Sequence, residues 1–441
     1  MSTDFIELQS TGGLRGEVVV PPDKSLSHRA VLFASLAEGV SYVKNFLRAG
    51  DPLSTVRAMR MLGVEIEETG HPAGPSERDD LVIRSGGILN LAEPPDVIDC
   101  GNSGTTIRML SGILAGCPFF SVLTGDASLR QRPMARVVAP LRKMGARISA
   151  RAGDRLPPLA ISGGNLRGID YTMNVASAQV KSCLLLAGLF AGGITRVVEP
   201  FRSRDHTERM LGSMGAGIKI EGTAVSIRGG SLLRPFEITV PADFSSAAFF
   251  IVAALAVPDS EILIRQVGVN QTRTGLLRLL FSMGASVEVT GLREVSGEPV
   301  ADVLCRYTGR LKPARLTAED IPSVIDEFPI LCVLASRAEG VTEIRGAEEL
   351  RVKESDRIAA MAGELRKLGV DLEEYPDGLA IRGAPTLRGG VVESHGDHRI
   401  AMALSVAALI ADRPVRINDA SCVNISFPTF FDTLKRLTSG G

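Results

Sequence analysis

The sequence contains no tryptophan and only four tyrosines in 441 residues. Few flat side chains are left on which unpaired bases could stack, which argues against a single-strand nucleic-acid platform. An excess of one charge is also missing: 49 lysines and arginines stand against 50 aspartates and glutamates, a net charge of −1. Such a balance gives no electrostatic case for nucleic acid or an anionic membrane as partner. Long hydrophobic runs are absent too. One of the most apolar stretches, CLLLAGLFAGG, is too short and too glycine-broken to span a bilayer. The opening MSTDFIELQS has neither a cationic start nor an apolar core, so no signal peptide is expected. Six cysteines (Cys100, Cys117, Cys183, Cys305, Cys332 and Cys422) are scattered without a close pair. They form neither a metal-ligand spacing nor a disulfide framework, and they suit a reducing, cytoplasmic setting. No metal site is expected.

What the sequence has in plenty is repetition. RMLGVEI (60–66), RKMGARI (142–148), GSMGAGI (212–218), FSMGASV (281–287) and RKLGVDL (366–372) share one pattern. Each closes a helical stretch with glycine and resumes as alternating strand residues. Glycine suits that place because a helix often ends on a residue with positive φ. Short strands and turns keep step with these motifs, as in LVIRSGG, LAISGGNLRG and LAIRGAPTLRGG. The unit reads strand–helix–strand–helix–strand–strand and occurs six times, at about 73 residues per copy. One helix of each copy is apolar nearly all round and should be buried, while the second keeps a polar face. Two globules of three copies each follow, with sheets wrapped around buried helices. The boundary is expected near VPADFSS (240–246), which three copies precede.

Equivalent copies should have equivalent helix starts. At the buried helices these read PDKSLSHR, DCGNSGTTIR, VASAQVKS, PADFSSAA, SVIDEFP and HGDHRIA. At the outer helices they include RAGDPLS, GDASLRQRP, RSRDHTER, NQTRTG and VKESDR. PADFSSAA and NQTRTG read as plain caps. The others carry surplus charge: Lys24, Arg108, Arg132, Arg204, Lys353, Arg357 and Arg399 lie at or within a turn of such starts. A helix N-terminus already favours anions, so a cation there is unfavourable until an anion joins it. The pattern calls for a ligand with more than one phosphate or carboxylate. Taken singly, each feature has a plainer explanation. Asp23 or Ser25 would cap a helix, ESDR would pair within one, His398 would sit in the interior, and Asp326 would cap. Their recurrence at corresponding places is what favours a ligand site.

In order along the chain, DKSLSHR, GNSGTTIR, LTGDASLRQRPM, SAQVKS, RDHTERML, VKESDR and GDHRIAM resemble the motifs of the 5-enolpyruvylshikimate-3-phosphate synthases. The likeness runs from Lys24 to Pro428. It implies an α/β fold, a two-domain inside-out α/β barrel built from six βαβαββ repeats, three per domain. Residues 23–242 would form the first domain, and 1–22 with 243–441 the second, the active-site cleft lying between them. It implies transfer of the enolpyruvyl group of phosphoenolpyruvate to the 5-hydroxyl of shikimate 3-phosphate, with release of phosphate and no cofactor. The partners would be these two small molecules, with no nucleic acid or membrane, and the chain would be a cytoplasmic monomer.

Residue by residue, the resemblance implies that Lys24, Ser25, Arg29, Ser177, Ala178, Gln179, Arg204, Asp326 and Lys353 hold shikimate 3-phosphate. Lys24, Asn102, Gly104, Arg132, Gln179, Arg357 and Arg399 would hold phosphoenolpyruvate. Asp326, Lys24, Glu354 and His398 would share the proton transfers, with Asp326 as base for the 5-hydroxyl. Three positions depart from the family pattern: Pro22 replaces a glycine, Ala178 a serine, and Ile425 a lysine that contacts phosphoenolpyruvate in many members. Gly104 leaves the room that tolerant relatives fill with a methyl group, so sensitivity to glyphosate is expected. Two alternatives remain at this point. One is the sister enolpyruvyltransferase acting on a UDP-linked amino sugar, UDP-N-acetylglucosamine, which carries a catalytic-loop cysteine where this chain has SLRQRPM. Cys117, just upstream, is expected to be buried at a strand start. The other is a non-catalytic polyanion-binding repeat protein.

Overall fold

The computed structural model describes residues 4–69 and 80–439. The fold is mixed α/β, and the chain gathers into two compact units. One comprises Pro22–Pro241 with Glu294–Glu298, the other Met1–Pro21, Ala242–Arg293 and Pro299–Gly441. Among the described residues, no helix is long and apolar enough to cross a membrane.

Among the described residues, each unit holds three small sheets, four-stranded except for one of three strands. In the first unit, Asp170–Thr172 runs parallel to Ile194–Val198, which pairs antiparallel with Ala224–Arg228, and that strand with Ile218–Glu221. The parallel step needs a crossover, and the helix Ala178–Phe190 supplies it. Helices Lys24–Ala34 and Gly104–Gly116 sit beside the other two sheets of this unit, and Phe244–Ala256, Phe328–Ala335 and His398–Ala408 play the same part in the second. Apart from the charged and polar residues near their starts, these helices are apolar, and nearly all of their residues are buried. All 13 residues of Phe244–Ala256 are buried. The strands alternate instead, as in Ile194–Val198, with one face on the helices and one outward.

The five repeated glycines, Gly63, Gly145, Gly215, Gly284 and Gly369, all have positive φ, between 81° and 110°. The helix-ending motif read from the sequence is therefore a backbone requirement. Chain order does not dictate strand order, however. Arg15–Val18 precedes the Lys24 helix but pairs parallel with Glu261–Gly268. Glu237–Thr239 precedes the Phe244 helix but pairs parallel with Glu38–Lys44. The N-terminal strand Phe5–Leu8 adds to Val415–Asn418.

Close approach of the buried helices depends on small residues. A Cβ placed on Gly112 would lie 2.1 Å from the carbonyl oxygen of Cys183 on the neighbouring Ala178–Phe190 helix. Gly363, in the outer helix Arg357–Lys367, has no such neighbour within 4 Å. Gly112→Ala is therefore expected to destabilise by about 1–3 kcal/mol through overpacking. Gly363→Ala is expected to be neutral or to stabilise by about 0.5–1 kcal/mol through helix propensity. Urea unfolding followed by circular dichroism checks both, and equal midpoints would refute the close approach.

Candidate active site

In the unit built on Pro22–Pro241, the Lys24 helix starts from Asp23, whose carboxylate accepts from the Leu26 N–H at 2.8 Å. The plain cap expected of this segment is therefore present, and Pro22 does not prevent it. The residues that follow do something further. Lys24 Nζ lies 3.1 Å from the Asp51 carboxylate, in the first turn of the helix Gly50–Met61. Arg29 is buried, and its guanidinium donates to Thr207 Oγ1 (2.8 Å), the Ser25 carbonyl (3.0 Å) and Ser182 Oγ (3.1 Å). All three acceptors are neutral. Burial pulls the Arg29 guanidinium down to about 10, against the opposing pull of Glu208. A buried cation held by neutral oxygens favours an incoming anion. Arg204 reaches the same place, donating to Ser25 Oγ at 3.3 Å.

A second group in this unit surrounds the start of the helix Gly104–Gly116, capped by Ser103. Arg132 donates to Asn102 Oδ1 (2.6 Å), and Asn102 in turn donates to Asp126 (2.7 Å). Gln179 accepts from Arg108 (2.8 Å) and donates to Thr105 (2.9 Å), joining this loop to the helix that Ser177 caps and Ala178 begins. A Cβ on Gly104 would come within 2.6 Å of one Arg108 nitrogen and 3.4 Å of one Arg132 nitrogen. Two guanidiniums thus converge where a helix N-terminus presents its free N–H groups, a setting suited to phosphate or carboxylate.

Beneath Arg29 lies a cluster that sequence reading missed. Lys181 is fully buried and bridges Glu199 (2.8 Å) and Glu208 (2.6 Å). The signal was present, since Lys181 is the single charge in an otherwise apolar helix. Asp51 was also overlooked, although RAGDPLS marks it as a helix-start acid.

In the other unit, Asp326 occupies the turn between the short helix Ile321–Val324 and the helix Phe328–Ala335. It does not cap the latter; Glu327 holds the N-cap position and makes no side-chain cap bond. The Asp326 carboxylate instead faces Arg357 (3.6 Å) and Arg399 (3.7 Å), and its carbonyl accepts from Arg399 (3.1 Å). Arg357 is 1 % exposed; Nε goes to Asp397 (2.8 Å) and Nη2 to Glu354 (2.8 Å). Among the described residues, only its Nη1 has no hydrogen-bond partner. Burial opposes the Arg357 charge, but Asp397 and Glu354 outweigh it and raise its pKa. Asp397 also caps the helix that His398 and Arg399 begin, accepting from the Arg399 N–H at 2.9 Å. Lys353 lies 3.9 Å from Glu349, and burial lowers its pKa. Ile425 falls in the short turn Ala420–Ile425, half-buried.

Two starts read as plain caps prove more than that. Asp243 caps the Phe244 helix but also pairs with Arg273 of NQTRTG, which is buried and donates to Ser245 Oγ at 3.0 Å. Cys117 is buried as expected, but at the end of the Gly104–Gly116 helix and not at a strand start, and burial pushes its thiol up to about 12.

A family model described as EPSP synthase (3-phosphoshikimate 1-carboxyvinyltransferase) matches residues 8–434. A 3-phosphoshikimate 1-carboxyvinyltransferase of Pelobacter propionicus is 54% identical over 435 residues, 99% of each chain. One of Thermodesulfovibrio yellowstonii is 54% identical over 425 residues, covering 96% of this chain and 97% of the other. Among solved structures, an EPSP synthase of Acinetobacter baumannii superposes with a TM-score of 0.85 at 44% identity, over 99% of this chain and 98% of that one. The chain belongs to the EPSP synthase family.

Proposed function

We propose that the two clusters carry the family's reaction between them. The enzyme transfers the enolpyruvyl group of phosphoenolpyruvate to the 5-hydroxyl of shikimate 3-phosphate and releases phosphate, a step of the shikimate pathway toward chorismate and the aromatic amino acids. The hydroxyl oxygen adds to C2 of the vinyl group while C3 takes a proton. The C–O bond to phosphate then breaks as C3 gives a proton back. Asp326 takes the 5-hydroxyl proton, and Lys24, Glu354 and His398 complete the proton-transfer set.

Shikimate 3-phosphate is held by Lys24, Ser25, Arg29, Ser177, Ala178, Gln179 and Arg204, with Asp326 and Lys353 from the other unit. Arg29 takes its carboxylate. Phosphoenolpyruvate is held by Lys24, Asn102, Gly104, Arg132 and Gln179, with Arg399 and the remaining nitrogen of Arg357. The observation that carries this reading is Arg29, a buried cation whose acceptors are all neutral. Fixed donors of this kind stabilise developing charge best when water is excluded.

The six sheets and six buried helices are read as six βαβαββ copies, three in each of two inside-out α/β barrels. The glycine motifs with positive φ support that reading. The enzyme works as a cytoplasmic monomer, a setting that suits six free and buried cysteines. The UDP-sugar alternative gains nothing from Cys117, since a buried thiol raised to about 12 is a poor nucleophile.

Three outcomes test the assignment. Phosphate should be released from phosphoenolpyruvate with shikimate 3-phosphate as acceptor; release only with UDP-N-acetylglucosamine would overturn it. Asp326→Ala should lower turnover by about 10²–10⁴-fold, the range for a general base, with calorimetric affinity for shikimate 3-phosphate nearly kept. Equal loss of both would make Asp326 a binding residue only. Arg29→Lys should weaken shikimate 3-phosphate binding by about 10- to 100-fold, the cost of charge-assisted hydrogen bonds, and calorimetry reads it directly.

A further inference from the structure

We propose that His28 and Thr55 are positioning residues: a one-way chain of hydrogen bonds from His28 through Thr55 and Thr106 to Ser103 fixes the Lys24 helix against the Asn102–Gly104 loop. The proposal rests on the substrate-holding roles assigned above to Lys24, Asn102 and Gly104.

The links are short and dry. His28 Nδ1 lies 2.7 Å from Thr55 Oγ1, which lies 2.7 Å from Thr106 Oγ1, and Thr106 donates to Ser103 Oγ at 2.8 Å. All four side chains are fully buried. Their direction follows from counting protons. A hydroxyl has one to give, and that of Thr106 goes to Ser103. Thr106 must then accept from Thr55, and Thr55 must accept from His28. His28 therefore carries a proton on Nδ1. With the proton on Nε2 alone, Thr55 would have to donate to His28 and would meet Thr106 lone pair to lone pair.

Two independent features agree. His28 Nε2 has no hydrogen-bond partner among the described residues. A bare acceptor is less costly there than an orphaned N–H, so the ring is best placed with Nε2 unprotonated. Burial, with Lys24 and Arg29 nearby, also holds His28 well below its ordinary pKa, so a doubly protonated ring is disfavoured.

The geometry explains why two helices would be joined this way. Lys24 and His28 are four residues apart on one helix, Asp51 and Thr55 four apart on the next. They meet as two rungs, an ion pair at 3.1 Å and a hydrogen bond at 2.7 Å. One rung would leave the helices free to pivot; two fix their rotation. Thr55 then hands the constraint to Ser103, which caps the Gly104 helix and stands between Asn102 and Gly104. Lys24 and the loop are thereby held at one spacing.

Thr55→Val keeps the shape and removes the hydroxyl, while Thr55→Ser keeps the hydroxyl. Thr55→Val is expected to lower kcat/KM for phosphoenolpyruvate about fivefold, the loss of one net hydrogen bond. Thr55→Ser should behave as the unaltered enzyme. In the ligand-free protein, nitrogen NMR of labelled histidine should show His28 neutral with its proton on Nδ1. A proton on Nε2 overturns the proposal, as does an unchanged kcat/KM in Thr55→Val or equal impairment in both variants. The tautomer is read without substrate, so it tests the hydrogen-bond chain separately from the assigned reaction and even if Thr55→Val does not fold.

Discussion

A buried cation in the first two turns of a helix is disfavoured by the helix dipole and by the loss of water. The two units meet that constraint in opposite ways. Around Arg29 the counter-charge is withheld: its three hydrogen bonds go to neutral oxygens, and the acid that acts on it most strongly, Glu208, is committed to Lys181. Around Arg357 counter-charge is oversupplied, since Asp397 and Glu354 bond to it and Asp326 lies 3.6 Å away. The first arrangement gains from an anionic ligand. The second keeps three carboxylates oriented about one buried guanidinium.

The backbone makes these placements repeatable. A helix that ends on a glycine with positive φ can turn at once into a strand, and five such glycines recur in the chain. Where the two strands of a parallel pair are neighbours in the chain, as Asp170–Thr172 and Ile194–Val198 are, a buried helix crosses between them, and the start of that helix lies near the end of a strand. Gly112 shows how tight the result is, with no room for a methyl group beside Cys183. Side chains at the helix starts therefore sit on elements that have little freedom to move, which suits groups that must hold fixed positions.

Much of this was legible in the sequence because it is local. Apolar helices, glycine ends and charged caps are properties of short segments, and the placing of Lys24, Arg132 and Arg399 near helix starts follows from them. What escaped depends on partners distant in the chain. The pairing of Arg15–Val18 with Glu261–Gly268 is chosen by tertiary packing, and no residue in either strand announces it. Glu298 at a hairpin tip is buried 2.8 Å from His206, a contact across 92 residues. The plainer reading of Asp326, a helix cap, fails for a related reason. An acid before an apolar run predicts a cap, yet the run begins after a second turn and the carboxylate is drawn to two guanidiniums from later segments.

The start of the Phe244 helix shows what turns one repeated scaffold into a site. It has a capping aspartate and a nearby arginine, as the start of the Lys24 helix does. There, however, Asp243 pairs with Arg273, and Ser245 ties Glu327 into the same buried group. Charge is satisfied within the protein, so nothing is left for an anion to gain. At the Lys24 helix, Asp23 is spent on the Leu26 N–H and Asp51 on Lys24, and Arg29 is left with neutral partners. The same helix start is structural in one copy and suited to a ligand in another. The difference lies in where the acids stand, because burial makes an unmatched cation costly whichever copy holds it.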